Sequence, residues 1–98
     1  MPSREHILRI LMENAEDLRR DFGVESLALF GSAARGENGP SSDVDVLVDL
    51  PGSISLFKLV ALRLRLEDLL GARVDVVLRD AIYPPLRETI LAEALRVA

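Results

Sequence analysis

The sequence predicts an α/β (α+β) fold: a small three-stranded mixed sheet flanked by about four helices, in the order αβ(α)βαβα. Two observations carry this. Segments with apolar residues at helical spacing alternate with short β-like runs, the pattern of a sheet covered by helices. The 98 residues amount to one domain, residues 1–98, with no internal repeat and no linker long enough to divide them.

Ser3 is positioned to cap a first helix, in which Ile7, Leu8, Leu11, Met12, Ala15 and Leu18 recur at helical spacing. That helix ends near Asp21, with Gly23 as its stop. Val24 to Phe30 reads as a short strand. Gly31 to Pro40 holds three Gly, one Asn and one Pro, so it reads as a loop with room for one helical turn. Asp43 to Leu50 reads as a second strand, with Val44, Val46, Val48 and Leu50 on one face and Asp43, Asp45, Leu47 and Asp49 on the other. Ser53 or Ser55 begins a third helical segment that runs to about Leu70 and stops at Gly71. Arg73 to Leu78 is a third strand. Pro84-Pro85 opens a last helix over about Leu86 to Leu95.

The third helix is apolar around most of its circumference. Leu59, Leu62, Leu66, Leu69 and Leu70 form one broad stripe, and Phe57, Val60 and Leu64 fall outside it. Such a helix is deeply buried, shared with a partner, or simply carries surface leucines.

Composition narrows the function. Apolar residues at 49% and charged residues at 29% match a globular chain and not a disordered one. There is no Cys, which removes disulfides, thiolate metal sites and Cys nucleophiles. No run of ~18 apolar residues is present to span a membrane, and the charged start Met1-Pro2-Ser3-Arg4-Glu5-His6 lacks a signal-peptide core. A net charge of −4 argues against a binder of DNA. The expected compartment is the cytoplasm.

The chemistry concentrates in Gly31-Ser32-Ala33-Ala34-Arg35-Gly36 and Ser42-Asp43-Val44-Asp45. Asp43 and Asp45, two apart on a strand, share one face about 7 Å apart. Two anions held that close favour a hard divalent cation with oxygen ligands. Upstream, a hydrophobic strand ends in Gly31 and Ser32. Gly permits close backbone approach to a ligand, and a hydroxyl with nearby N–H groups binds phosphate oxygens. Neither a Walker loop nor a dinucleotide fingerprint is present. Arg35 either reaches a phosphate or braces the loop through a carboxylate. Asp75, flanked by Val74 and Val76, joins Asp43 and Asp45 on one face if the third strand neighbours the second. Three carboxylates beside a phosphate loop are the elements of two-metal phosphoryl transfer. Asp49 reads as a solvated turn carboxylate, His6 as solvated, Tyr83 as a packing anchor, and Glu88 and Glu93 as a polar helix face.

Gly31-Ser32, ten residues, Asp43-Val44-Asp45, then Asp75 in a later strand resembles the DNA polymerase β-type nucleotidyltransferase superfamily, most closely its minimal branch, the MNT proteins. Members of that branch pair with HEPN-domain proteins in toxin–antitoxin modules. The resemblance covers nearly the whole chain and implies the fold of that superfamily. It further implies that Asp43 and Asp45 bind one or two Mg²⁺, that Asp75 completes the metal site and acts as general base, and that Gly31 and Ser32 bind the triphosphate. The implied reaction moves an NMP, AMP from ATP, to a hydroxyl and releases pyrophosphate. With no acceptor-binding domain expected in so short a chain, the acceptor would be a small helical HEPN-type toxin. Two other readings compete: an antitoxin that works by masking with a vestigial nucleotide site, and a small-molecule transferase subunit that needs a homo-oligomer to enclose its acceptor.

Overall fold

The computed structural model describes residues 2–37, 43–52 and 54–97. Helix α1 spans Arg4–Phe22. Ser3 caps it by accepting from the His6 N–H, and Gly23 ends it in the left-handed conformation, its N–H donating to the Arg19 carbonyl. Strand β1 is Ser26–Phe30, followed at once by the one-turn helix α2, Gly31–Arg35. Strand β2 is Val44–Asp49, α3 is Leu56–Leu70 and β3 is Val74–Leu78. Ser55 caps α3 through the Lys58 N–H and Gly71 terminates it; the alternative cap, Ser53, lies outside the described residues, as do residues 38–42 of the loop before β2. A 3₁₀ turn, Arg79–Ala81, leads to α4, Pro84–Glu93.

Among the described residues the sheet has four strands, not three. After α4 the chain extends at Ala94, and Leu95–Arg96 forms β4 against β1, pairing Leu95 with Leu29 and Arg96 with Ala28. The last helix therefore stops at Glu93, before the expected Leu95. A two-residue strand carries no periodicity of its own; the open edge of β1 makes it by supplying partners for its backbone groups. The order across the sheet is β3-β2-β1-β4. β2 runs antiparallel to β1 and parallel to β3, and α3 is the crossover that the parallel pair requires.

One face of the sheet packs under α1 and α3. There Leu27, Leu29, Val44, Val46, Val48 and Val74 meet Ile7, Leu11 and Leu18 of α1 and Leu62, Leu66 and Leu70 of α3. Of the predicted α3 stripe, Leu59 and Leu69 are half-buried at its margin. Fully burying each of these side chains contributes roughly 1.5–3 kcal/mol. Arg65 joins the two helices at their rim, with Nη1 3.1 Å from Asp21 Oδ2 and its guanidinium 5.2 Å from the centre of the Phe22 ring. The opposite face holds a smaller cluster of Ala28, Phe30, Leu47 and Ile82, covered in part by Ile90, Leu91 and Ala94. Tyr83 is no anchor: it is 66% exposed, because Ile82 takes the buried position beside it. Met12, although in phase with the α1 stripe, is also exposed.

Candidate active site

The alternation along β2 sends its valines into the α1–α3 layer and turns Asp45, Leu47 and Asp49 to the other face. Asp45 and Asp75 are register partners in the parallel β2–β3 ladder. Their side chains therefore leave the same face from strands about 4.8 Å apart. Asp43 lies two residues before Asp45 and is exposed. Opposite it stands Arg73, whose carbonyl accepts the Val44 N–H at 2.8 Å and whose Nε is 3.3 Å from Asp43 Oδ1. Arg73 escaped the sequence reading, yet the parallel register that pairs Val44 with Val74 places Arg73 beside Asp43 directly.

On its other side Asp45 pairs with Phe30 of β1, so the next residue, Gly31, turns against the carboxylate. Gly31 has φ +71°, and a Cβ built there would overlap Asp45 Oδ2 and lie 3.1 Å from Asp45 Cγ. Glycine is required twice over, for the left-handed backbone and for the close approach. Ser32 follows, half-buried, its carbonyl accepting from the Glu37 N–H at 2.9 Å. Ala33 and Ala34 bury the inner side of the turn, and Arg4 Nη1 donates to the Ala34 carbonyl at 3.2 Å. The phosphate-type loop and the carboxylates thus share one corner of the sheet.

Arg35 takes the bracing arrangement. Its Nε donates to Glu37 Oε2 at 2.9 Å and its Nη1 to Glu93 Oε1 at 3.0 Å, tying α2 to α4. Glu93 is therefore more than part of a polar helix face. Asp49 is half-buried at the far end of β2, with Arg79 Nη1 at 3.9 Å from its Oδ2, so it too differs from a freely solvated turn carboxylate. His6 Nδ1 accepts from Arg9 Nη2 at 2.9 Å.

Electrostatics single out Asp45. Burial, then the carboxylates of Asp75 and Asp43, push its carboxyl above the ordinary value, and the positive charge of Arg35 offsets part of this. Among the described residues no three acidic or His side chains stand close enough to form a ready-made metal cluster. The donor set nevertheless fits a hard divalent cation. It is all carboxylate oxygen, on one face, and a cation there would relieve the repulsion that raises Asp45. A cavity of about 800 Å³ opens at the opposite end of the sheet, with Ser26, Asp49, Arg79, Leu91 and Ala94 in its wall. None of the three carboxylates lines it, and the chemistry follows the carboxylates.

Comparison with known proteins gives the family. The nucleotidyltransferase domain matches residues 11–97. The chain belongs to that family. It is 41% identical over 97 residues to the protein adenylyltransferase MntA of Thermococcus cleftensis, covering 99% of this chain and 98% of that one. A solved structure described as a candidate minimal nucleotidyltransferase superposes with a TM-score of 0.80 at 39% identity, covering 96% of this chain and 95% of the other. The fold alone is shared with a chain from the complex of a tri-AMPylated Shewanella oneidensis HEPN toxin with an MNT antitoxin. There the TM-score is 0.68 and the identity 18%, over 93% of this chain and 71% of that one. This chain is thus a minimal nucleotidyltransferase, an enzyme of the nucleotidyltransferase class. No helix among its described residues is long and apolar enough to cross a membrane.

Proposed function

We propose that this nucleotidyltransferase is a cytoplasmic, Mg²⁺-dependent antitoxin that transfers AMP from ATP to a hydroxyl of a HEPN-type protein partner. The observation that carries the reading is the corner where Gly31 presses on Asp45 while Asp75 stands at the paired position of the next strand. It puts a phosphate-type loop against the carboxylates. The adenylyltransferase name of the Thermococcus relative supports AMP and a protein acceptor, and the fold shared with the HEPN–MNT complex supports the partner.

Asp43, Asp45 and Asp75 would hold one or two Mg²⁺, which when bound supply charge neutralisation for the triphosphate and its departing pyrophosphate. Gly31 and Ser32 receive the β- and γ-phosphates, through the hydroxyl and the N–H groups that the turn exposes. Arg35 adds a phosphate contact when it exchanges a carboxylate partner for the nucleotide. The acceptor oxygen bonds to the α-phosphorus, the bond from that phosphorus to the α–β bridging oxygen breaks, and pyrophosphate leaves with the electron pair. Asp75 takes the hydroxyl proton.

The test is incubation with α-labelled ATP and Mg²⁺, with and without a HEPN-type protein. Label on that protein, lost or strongly reduced in Ser32→Ala with the fold retained, is the expected result. Tight binding without transfer would replace the proposal with masking. Transfer to an aminoglycoside-like compound instead would make the chain a small-molecule transferase.

A further inference from the structure

We infer that the protein partner offers its acceptor hydroxyl on an extended segment, which adds as a further strand to the outer edge of β3. The inference rests on the protein acceptor proposed above. β3 ends the sheet: β2 pairs with one side of it, and among the described residues no strand pairs with the other.

The phase of the β2–β3 ladder decides which backbone groups that edge presents. The Val44 N–H donates to the Arg73 carbonyl at 2.8 Å, and Val44 is the register partner of Val74. In a parallel pair this turns the N–H and C=O of Asp75 and Val77 toward β2, and those of Val74, Val76 and Leu78 away from it. Accordingly the Val74 N–H donates to a side chain, Glu67 Oε2, at 3.0 Å, and Glu67 closes that end of the edge. Past it, the Val76 N–H, the Val76 C=O and the Leu78 N–H have no partner among the described residues. Alternating donors and acceptors at strand spacing are the complement of another polypeptide backbone.

Position decides what the added segment carries. Asp75 is exposed on this edge strand. Across the sheet the site runs from Gly31 at the end of β1, through Asp45 of β2, to Asp75 of β3. That is the order phosphate loop, metal-binding carboxylate, proton acceptor of the proposed reaction, so the acceptor hydroxyl belongs one strand further on. A strand about 4.8 Å beyond β3 sets one residue beside Asp75, with its side chain on the same face as the carboxylate whichever way the strand runs. The residues before and after it turn to the other face, where Val74 and Val76 pack in the α1–α3 layer. The expected acceptor is therefore a Ser, Thr or Tyr between two apolar residues, in a segment free to extend. A second copy of β3 fits badly. It would continue the same sheet and bring two sets of Asp43, Asp45 and Asp75 onto one face, where like charges repel.

The experiment uses the full chain, α-labelled ATP, Mg²⁺ and a HEPN-type protein. Val76→Pro removes the outward donor and touches no bond of the β2–β3 ladder, a change that edge positions tolerate. It should lower kcat/KM for the protein acceptor at least about tenfold, with circular dichroism and ATP affinity unchanged. Val76→Thr, which keeps the N–H, should transfer as the unaltered chain does. Amide exchange read by NMR should slow at least about tenfold at Val76 and Leu78 when the partner binds, and change little at Val77, whose N–H is already in the ladder. If Val76→Pro unfolds the chain, the exchange pattern decides. Unaltered transfer by folded Val76→Pro, or a Val76 amide that exchanges as fast in the complex, overturns the inference while the proposed function stands. A dimer by light scattering that Val76→Pro dissociates overturns it in favour of a second copy at this edge. No label on the partner from the unaltered chain overturns the proposed function, and this inference with it.

Discussion

On the face of the sheet beneath α1 and α3, β2 contributes Val44, Val46 and Val48, each fully buried; on the face beneath α4 the same strand contributes Asp45, Leu47 and Asp49. The first face is covered by helices that bury seven side chains between them, Ile7, Leu11, Leu18, Phe22, Leu62, Leu66 and Leu70. The second is covered by a helix with no buried residue, which reaches only the middle of the sheet through Ile90, Leu91 and the Ala94 that follows it. A period of two lets one strand serve both ends. The dry face supplies stability, and the partly covered face keeps carboxylates in reach of water and ligand. Charges that would be ruinous under α3 are tolerable under α4, because burying an ion without a partner costs several kcal/mol.

Four substitutions test that division. The largest effect is expected for Asp45→Asn, which should lower the proposed AMP transfer on the order of a thousandfold, about 4 kcal/mol of barrier. The same change should raise the thermal midpoint of the metal-free protein, because it removes a charge that burial and two carboxylates disfavour. Single-turnover kinetics and calorimetric melting read the two effects; a loss of stability would show that Asp45 is structural.

Leu66→Ala, on the dry face, should cost about 3 kcal/mol in urea unfolding, within the 2–5 range for such truncations. Transfer per folded molecule should hardly change. An equal loss of activity would mean that the faces are coupled.

Gly31→Ala should destabilise by about 1–2 kcal/mol from the left-handed backbone. It should also weaken ATP binding, since the new methyl displaces the Asp45 carboxylate. Wild-type ATP affinity in this variant would detach the turn from the site.

The smallest effect belongs to Glu93→Gln, which removes one half-exposed partner of Arg35 and should cost under ~1 kcal/mol. Hydrogen exchange should nonetheless speed up at the α4 amides and leave α3 unchanged. Equal change in both helices would contradict a loosely held α4.

Local signals were legible because they close over a few residues. The Ser3 and Ser55 caps act three residues along the chain, Gly23 and Gly71 end their own helices, and the alternation of Val44 to Asp49 needs no neighbour to sort its faces. The carboxylate pair and the Gly31-Ser32 turn follow from such signals, and so does the outward set of Phe57, Val60 and Leu64. Other features depend on which chain segment lies alongside. The pairing of Asp45 with Asp75 exists only because β3 docks parallel to β2 in that register. Arg73 meets Asp43 for the same reason. The contact of Gly31 with Asp45 needs the antiparallel register that sets Phe30 opposite it. Arg35 finds Glu93 across 58 positions of sequence, and β4 forms only where β1 leaves an edge. Caps and periodicity are satisfied by hydrogen bonds and burial within one element, so sequence alone determined them. Register, ion pairing and the second use of a strand edge are energies between elements, and only the tertiary structure decided them.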